Sequence, residues 1–165
     1  MQANISASAE ASGQVLALAG FLAEHGGTLA QGRGIDQREL EAAYALAYNL
    51  YGQARWEDAL AMFDFLCAHD HLQRRFHIGR AACLQMHKQY ERALVAYGVA
   101  HLMDVDDPDV GLRIAECLAG LGRHADARLA LATVAVQVEG KPEHDAVGRR
   151  AQALFDLLAQ VEASA

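Results

Sequence analysis

The sequence predicts an all-α protein built from three tandem helical hairpins. Helix-favouring Ala, Leu, Glu, Gln and Arg dominate a 165-residue chain that has two prolines. Small and apolar residues recur 34 positions apart in several columns at once: Ala47, Ala81 and Ala115; Leu50, Leu84 and Leu118; Ala59, Ala93 and Ala127. Helix-breaking strings, Gly52-Gln53-Ala54, Gly120 with Gly122, and Gly140-Lys141-Pro142, fall between the periodic runs.

Further columns keep the same register. Trp56, Tyr90 and His124 form one, Phe63, Tyr97 and Leu131 another, and Cys83 and Cys117 share a third. Thirty-four is the period of the tetratricopeptide repeat (TPR), which the chain resembles; the resemblance implies a short right-handed solenoid. The units are 40–73, 74–107 and 108–141. Their helices are expected near 40–52 and 56–69, 74–87 and 90–103, and 108–121 and 124–137. Alanines stand where the two helices of a hairpin cross closely, and Leu50 and Phe63 fill the space beside them. Pro108 opens the third unit at a first-turn position, which tolerates a missing N–H.

The flanks differ from the repeats. Pro142 follows Pro108 by 34, and Val147, Ala151, Leu154, Leu158 and Val161 recur at helical spacing. Residues 142–165 therefore read as a capping helix and tail. Residues 1–39 do not match the repeat. Val15, Leu18, Phe21 and Leu22 give a short amphipathic helix ending at Gly26-Gly27. Gln31-Gly32-Arg33-Gly34 reads as a flexible connection, and Asp36 as the N-cap of the first repeat helix.

Charge excludes some functions. With 21 acidic and 14 basic residues the net charge is −7, the wrong sign for a partner that must have its phosphates neutralised, so no nucleic-acid partner is expected. No run of eighteen apolar residues appears, so no membrane insertion is expected. The polar start of the chain lacks the basic, then apolar, pattern of a signal peptide, which makes the cytoplasm the expected location.

In a TPR stack the first helix of each hairpin lines the concave face through its fifth, ninth and twelfth positions. Here these are Tyr44, Tyr48 and Tyr51, then Ile78, Ala82 and Gln85, then Leu112, Glu116 and Ala119. Three of the chain's five tyrosines thus lie at i, i+4 and i+7 on one helix face. Two readings of that stripe stand. It forms pockets for apolar anchors of an extended peptide, with hydroxyls to bond the peptide backbone, or it is core packed against the N-terminal helix. TPR clamps for acidic C-terminal tails use lysine and asparagine at the positions taken here by Tyr44 and Tyr48, which disfavours that kind of adaptor.

Catalytic and metal chemistry is not expected. His69 and His71 flank Asp70 at a helix junction, where residues two apart share no face, and the eight histidines read as solvated or capping. Asp104, Asp106, Asp107 and Asp109 lack the glycine and glutamate of a calcium loop, because those places hold Asp109 and Ala115. They read as capping residues that favour the start of the next helix. Cys67, Cys83 and Cys117 read as buried free thiols. No cofactor is expected.

The sequence also resembles a specific family. Phe21-Leu22, Gly26-Gly27-Thr28-Leu29 and Leu40-Glu41-Ala42-Ala43-Tyr44-Ala45-Leu46-Ala47-Tyr48-Asn49 are similar to the class II chaperones of bacterial type III secretion, the LcrH/SycD translocator chaperones. The likeness continues through Tyr51, Trp56-Glu57-Asp58-Ala59, Cys67, Asp70-His71, Arg75-Phe76, Ala81-Ala82-Cys83, Gln89-Tyr90, Met103-Asp104, Ala115-Glu116-Cys117-Leu118, Gly122 and Lys141-Pro142-Glu143. It spans roughly residues 15–145. The resemblance implies a cytosolic, non-enzymatic chaperone that holds hydrophobic pore-forming translocator proteins through an extended segment near their N-terminus. The groove it implies comprises Tyr44, Tyr48, Tyr51, Ile78, Ala82, Gln85, Leu112 and Glu116. It further implies a homodimer formed through the N-terminal region, here Val15, Leu18, Phe21 and Leu22. The alternative is a TPR peptide-binding scaffold unrelated to secretion.

Overall fold

The computed structural model describes residues 26–163, and the helix expected around Val15, Leu18, Phe21 and Leu22 lies outside them. The described residues form eight α-helices: α1 Leu29–Arg33, α2 Gln37–Gly52, α3 Trp56–His69, α4 Arg74–Met86, α5 Tyr90–Met103, α6 Pro108–Gly120, α7 His124–Val138 and α8 Asp145–Ala163. The pairs α2/α3, α4/α5 and α6/α7 are three hairpins stacked in chain order. From α2 onward each helix packs mainly on its chain neighbours; α1 touches α3, α4 also touches α2, and α8 touches α6.

The string Gln31-Gly32-Arg33-Gly34 is not a flexible connection. Thr28 caps α1: its hydroxyl accepts from the Gln31 amide at 3.3 Å, and the Gln31 side chain accepts from the Thr28 amide at 2.9 Å. This reciprocal box satisfies two orphan donors. Gly34, at φ 68°, ends the helix in the left-handed region, and Ala30 packs into the core beside Leu40 and Leu66. Asp36 and Glu39 repeat the box at the start of α2. That cap lets α2 begin three residues before the repeat unit does.

One turn recurs in all three hairpins. The left-handed position is Ala54 (φ 58°), Lys88 (φ 57°) and Gly122 (φ 72°). In each, that residue's amide donates three residues back, and the next amide donates five back: Arg55 to Leu50, Gln89 to Leu84 and Arg123 to Leu118, at 2.9–3.0 Å. This is the Schellman pattern, which satisfies the last carbonyls of the first helix. The same chain geometry aims Trp56, Tyr90 and His124 as first residues of the second helices.

The core follows the columns. Ala47, Ala81 and Ala115, with Ala59, Ala93 and Ala127, are fully buried, and Phe63, Tyr97 and Leu131 fill the gaps between them. Glycines admit two aromatic rings: a methyl at Gly120 would lie 2.7 Å from the Tyr90 ring, and one at Gly79 would lie 2.2 Å from the Phe63 ring. The acidic turn between the second and third hairpins is structural. Arg74 donates to the Ala100 carbonyl at 3.0 Å and to Asp107 at 2.5 Å, while Asp107 caps α6. Val147, Ala151 and Leu158 of α8 close the last hairpin, sharing a core with Leu131 and Val134.

Candidate functional site

Five of the residues expected on the concave face line one cavity of about 240 Å³: Tyr44, Tyr48 and Tyr51 from α2, Ile78 and Ala82 from α4. Phe63 of α3 also reaches this cavity, because Gly79 between them has no side chain. The tyrosine stripe is graded. Tyr44 is half-buried in an aromatic cluster, with ring centroids 6.1 Å from Phe63 (edge-on) and 5.7 Å from Phe76. Tyr48 is 64% exposed and touches Tyr44 at 6.3 Å. Tyr51 is half-buried, and burial raises its phenol pKa. The stripe therefore anchors on the core at Tyr44 and opens to solvent at Tyr48.

Arg75 forms the rim. Its guanidinium stands 4.7 Å over the Tyr44 ring and 5.2 Å from that of Phe76, and it grips Glu41 of α2 with two nitrogens. Stacking on an aromatic face suits the flat guanidinium. The hydrogen bond from Arg75 holds the Glu41 carboxyl below its ordinary range.

Gln85 and Glu116 lie in a polar stretch of the same face. Tyr97 donates to Gln85 at 2.8 Å, and Gln85 donates to Glu116 at 2.8 Å. Glu116 also accepts from Arg113 at 3.1 Å and from Arg150 of α8 at 2.7 Å. Burial opposes the charge on Arg113, and Glu116 more than offsets it, leaving the guanidinium pKa above its usual value.

Leu112 departs from the expectation. It is 1% exposed and belongs to the core of Val134 and Val147, so it has no surface open to a ligand. Its position in the unit is the same as that of Tyr44 and Ile78. The difference is that α8, packing directly on α6, covers it. Four residues at the site escaped the concave-position rule: Phe63, Arg75, Arg113 and Arg150. Arg150 was legible, since it follows Glu116 by 34 and so occupies the ninth position of a fourth unit whose first helix is α8.

Two histidines also differ from the solvated or capping roles expected. His69 is buried, stacked on Phe65 at 4.0 Å, with Nδ1 2.8 Å from the Phe65 carbonyl. His77 is buried, with Nε2 2.8 Å from the His71 carbonyl, so Nε2 carries the proton and Nδ1 faces Cys67 Sγ at 3.8 Å. Burial pushes the Cys67 thiol up to about 11. It is a protonated donor to the imidazole, not a thiolate nucleophile. Burial likewise pushes Cys83 and Cys117 up to about 12. Among the described residues no three His, Cys, Asp or Glu side chains are grouped to hold a metal, and no helix is long and apolar enough to cross a membrane.

No family model matches the chain. The low calcium response locus protein H of Yersinia pseudotuberculosis is 34% identical over 143 residues, covering 87% of this chain and 84% of that protein. Among solved structures, the translocator chaperone SycD of Yersinia enterocolitica, in complex with a peptide of the translocator YopD, superposes with a TM-score of 0.73 at 32% identity, covering 78% of this chain and 98% of that one. PcrH of Pseudomonas aeruginosa, in complex with the chaperone-binding region of PopD, gives a TM-score of 0.73 at 32% identity, covering 78% and 97%. SycD is also known in an alternative dimer.

Proposed function

The chain belongs to the class II translocator chaperones of type III secretion, and from that premise we propose that it holds translocator proteins by an extended segment laid along its concave face. The observation that carries this reading is the apolar cavity between α2 and α4, where Tyr44, Tyr48, Tyr51, Ile78 and Ala82 converge on about 240 Å³. A ring as exposed as Tyr48 leaves apolar area open to water, and covering it with an apolar anchor is favourable by about 25 cal/mol per Å². The tyrosine hydroxyls offer bonds to the backbone of the bound segment.

Holding a membrane-seeking protein in this way suppresses its aggregation by mass action, since only the free client can self-associate. The site of action is the bacterial cytoplasm, before export, and the protein works there without catalysis. Dimerisation through Val15, Leu18, Phe21 and Leu22 is part of the same reading. Sedimentation of the full chain against a variant with Phe21 and Leu22 changed to Ser tests it, and an unchanged mass would refute it.

The test of the groove is co-purification from the native bacterium, followed by binding with the Tyr44→Ala, Tyr48→Ala and Tyr51→Ala variants. A hydrophobic secreted protein should come with the chain, and the variants should weaken its capture while keeping the helical circular dichroism. Capture of only soluble cytosolic enzymes, or full capture by all three variants, would sink the proposal.

A further inference from the structure

The ninth-position column of the concave face runs Tyr48, Ala82, Glu116 and, one helix further, Arg150 on α8. It thus begins in the apolar cavity and ends in an ion cluster. We propose that Arg113 and Arg150, set across Glu116, form a carboxylate-reading end of the groove, so that a bound segment carries an aspartate or glutamate beyond its apolar anchors. This rests on the groove reading above and specifies the chemistry of the client.

The cluster has one carboxylate between two guanidiniums, so its formal charge is +1 in a chain whose net charge is −7. Glu116 is already held by Arg113, Arg150 and Gln85, and Gln85 is held in turn by the Tyr97 hydroxyl. A basic client residue would have to displace these donors and sit against two arginines. Each arginine spends one nitrogen on Glu116 and keeps further N–H groups for a second acceptor, since a guanidinium carries five donors in a fixed fork. Glu116 orients both forks before any ligand arrives, which lowers the ordering cost of binding.

Spacing follows from the stack. Neighbouring helices pack roughly 10 Å apart, and two such steps separate α2 from α6. An extended chain advances about 3.3 Å per residue. The acidic residue therefore lies about six residues from the anchor seated at Tyr48.

The experiment uses the full chain and the PopD chaperone-binding region as a fluorescent peptide, with Glu, Gln and Lys placed at each position in turn and binding read by anisotropy. At one position, about six residues from an apolar anchor, Glu should bind about fivefold tighter than Gln, with Lys weaker than both, and high salt should reduce the difference. In the Arg113→Gln/Arg150→Gln double variant the Glu and Gln peptides should converge on one affinity. Should that variant fail to fold, Glu116→Gln, which raises the local charge to +2, should widen the preference for Glu. A position-independent response, a Glu preference that survives loss of both arginines, or one that Glu116→Gln abolishes would overturn the inference. If no peptide of the series binds at all, the groove reading falls first and takes this one with it.

Discussion

The ring of Phe63 occupies the space that a side chain on Gly79 would need: a methyl there would sit 2.2 Å from Cε1 and 2.3 Å from Cζ. A residue of α3 therefore reaches the cavity between α2 and α4 only because α4 has a glycine at that turn. Replacing a helical glycine by alanine ordinarily stabilises by about 1 kcal/mol. Here overpacking reverses the sign, and Gly79→Ala is expected to destabilise by about 1–3 kcal/mol. Urea denaturation measures it; a more stable variant would show that the ring moves without cost.

The left-handed turn residues make a second prediction with opposite signs at equivalent sites. Ala54 and Lys88 hold φ near 58°, where Cβ crowds the backbone, while the third hairpin has Gly122. Ala54→Gly and Lys88→Gly should each stabilise by about 0.5–1 kcal/mol, and Gly122→Ala should destabilise by a similar amount. Thermal melts of the three variants check the pattern, which fails if all three shift the same way.

Leu112 and Tyr48 separate stability from binding. Leu112 is 1% exposed and Tyr48 64%. Leu112→Ala should cost about 2–5 kcal/mol of stability through the cavity it leaves. Tyr48→Ala should leave the unfolding midpoint almost unchanged and weaken capture of a translocator segment by about 2 kcal/mol. Denaturation and peptide titration of both variants give the comparison. The reverse pairing of effects would place the groove elsewhere.

Alkaline pH should unfold the protein through its thiols. Burial raises Cys67 to about 11 and Cys83 and Cys117 to about 12, against ~8.5 for a free thiol. Between those values the unfolded chain has lost protons that the folded chain keeps, so stability falls as pH rises through that window and is fully present below it. Urea midpoints from pH 7 to pH 10 should drop, and the slope should shrink in Cys83→Ala and Cys117→Ala. A slope unchanged from that of the parent protein in both variants would assign the alkaline effect to other groups, such as Tyr97, whose phenol burial also raises. A thiol reagent at neutral pH should label the three cysteines only after unfolding.

Much of the fold is legible in residue spacing. A column such as Ala47, Ala81 and Ala115 repeats a packing constraint, because two helices approach closely only over a small residue. The i, i+4, i+7 spacing of Tyr44, Tyr48 and Tyr51 likewise dictates that they share a helix face. Periodicity could not say how Thr28 and Gln31 would cap a five-residue helix across glycines, although the Thr-x-x-Gln spacing was there to be read. Nor could it pair Cys67 with His77, ten residues away on another helix.

Residue spacing alone settled the three hairpins and the helix face that Tyr44, Tyr48 and Tyr51 share. It did so because helical geometry converts spacing into facing with no outside information. Tertiary structure decided how much of each face stays open. Leu112 is in register with Tyr44 and Ile78, yet it is core, because α8 lies on α6 and seals it. The same helix delivers Arg150 to Glu116. Exposure and charge pairing belong to the neighbour that covers a residue, and for α6 that neighbour is α8.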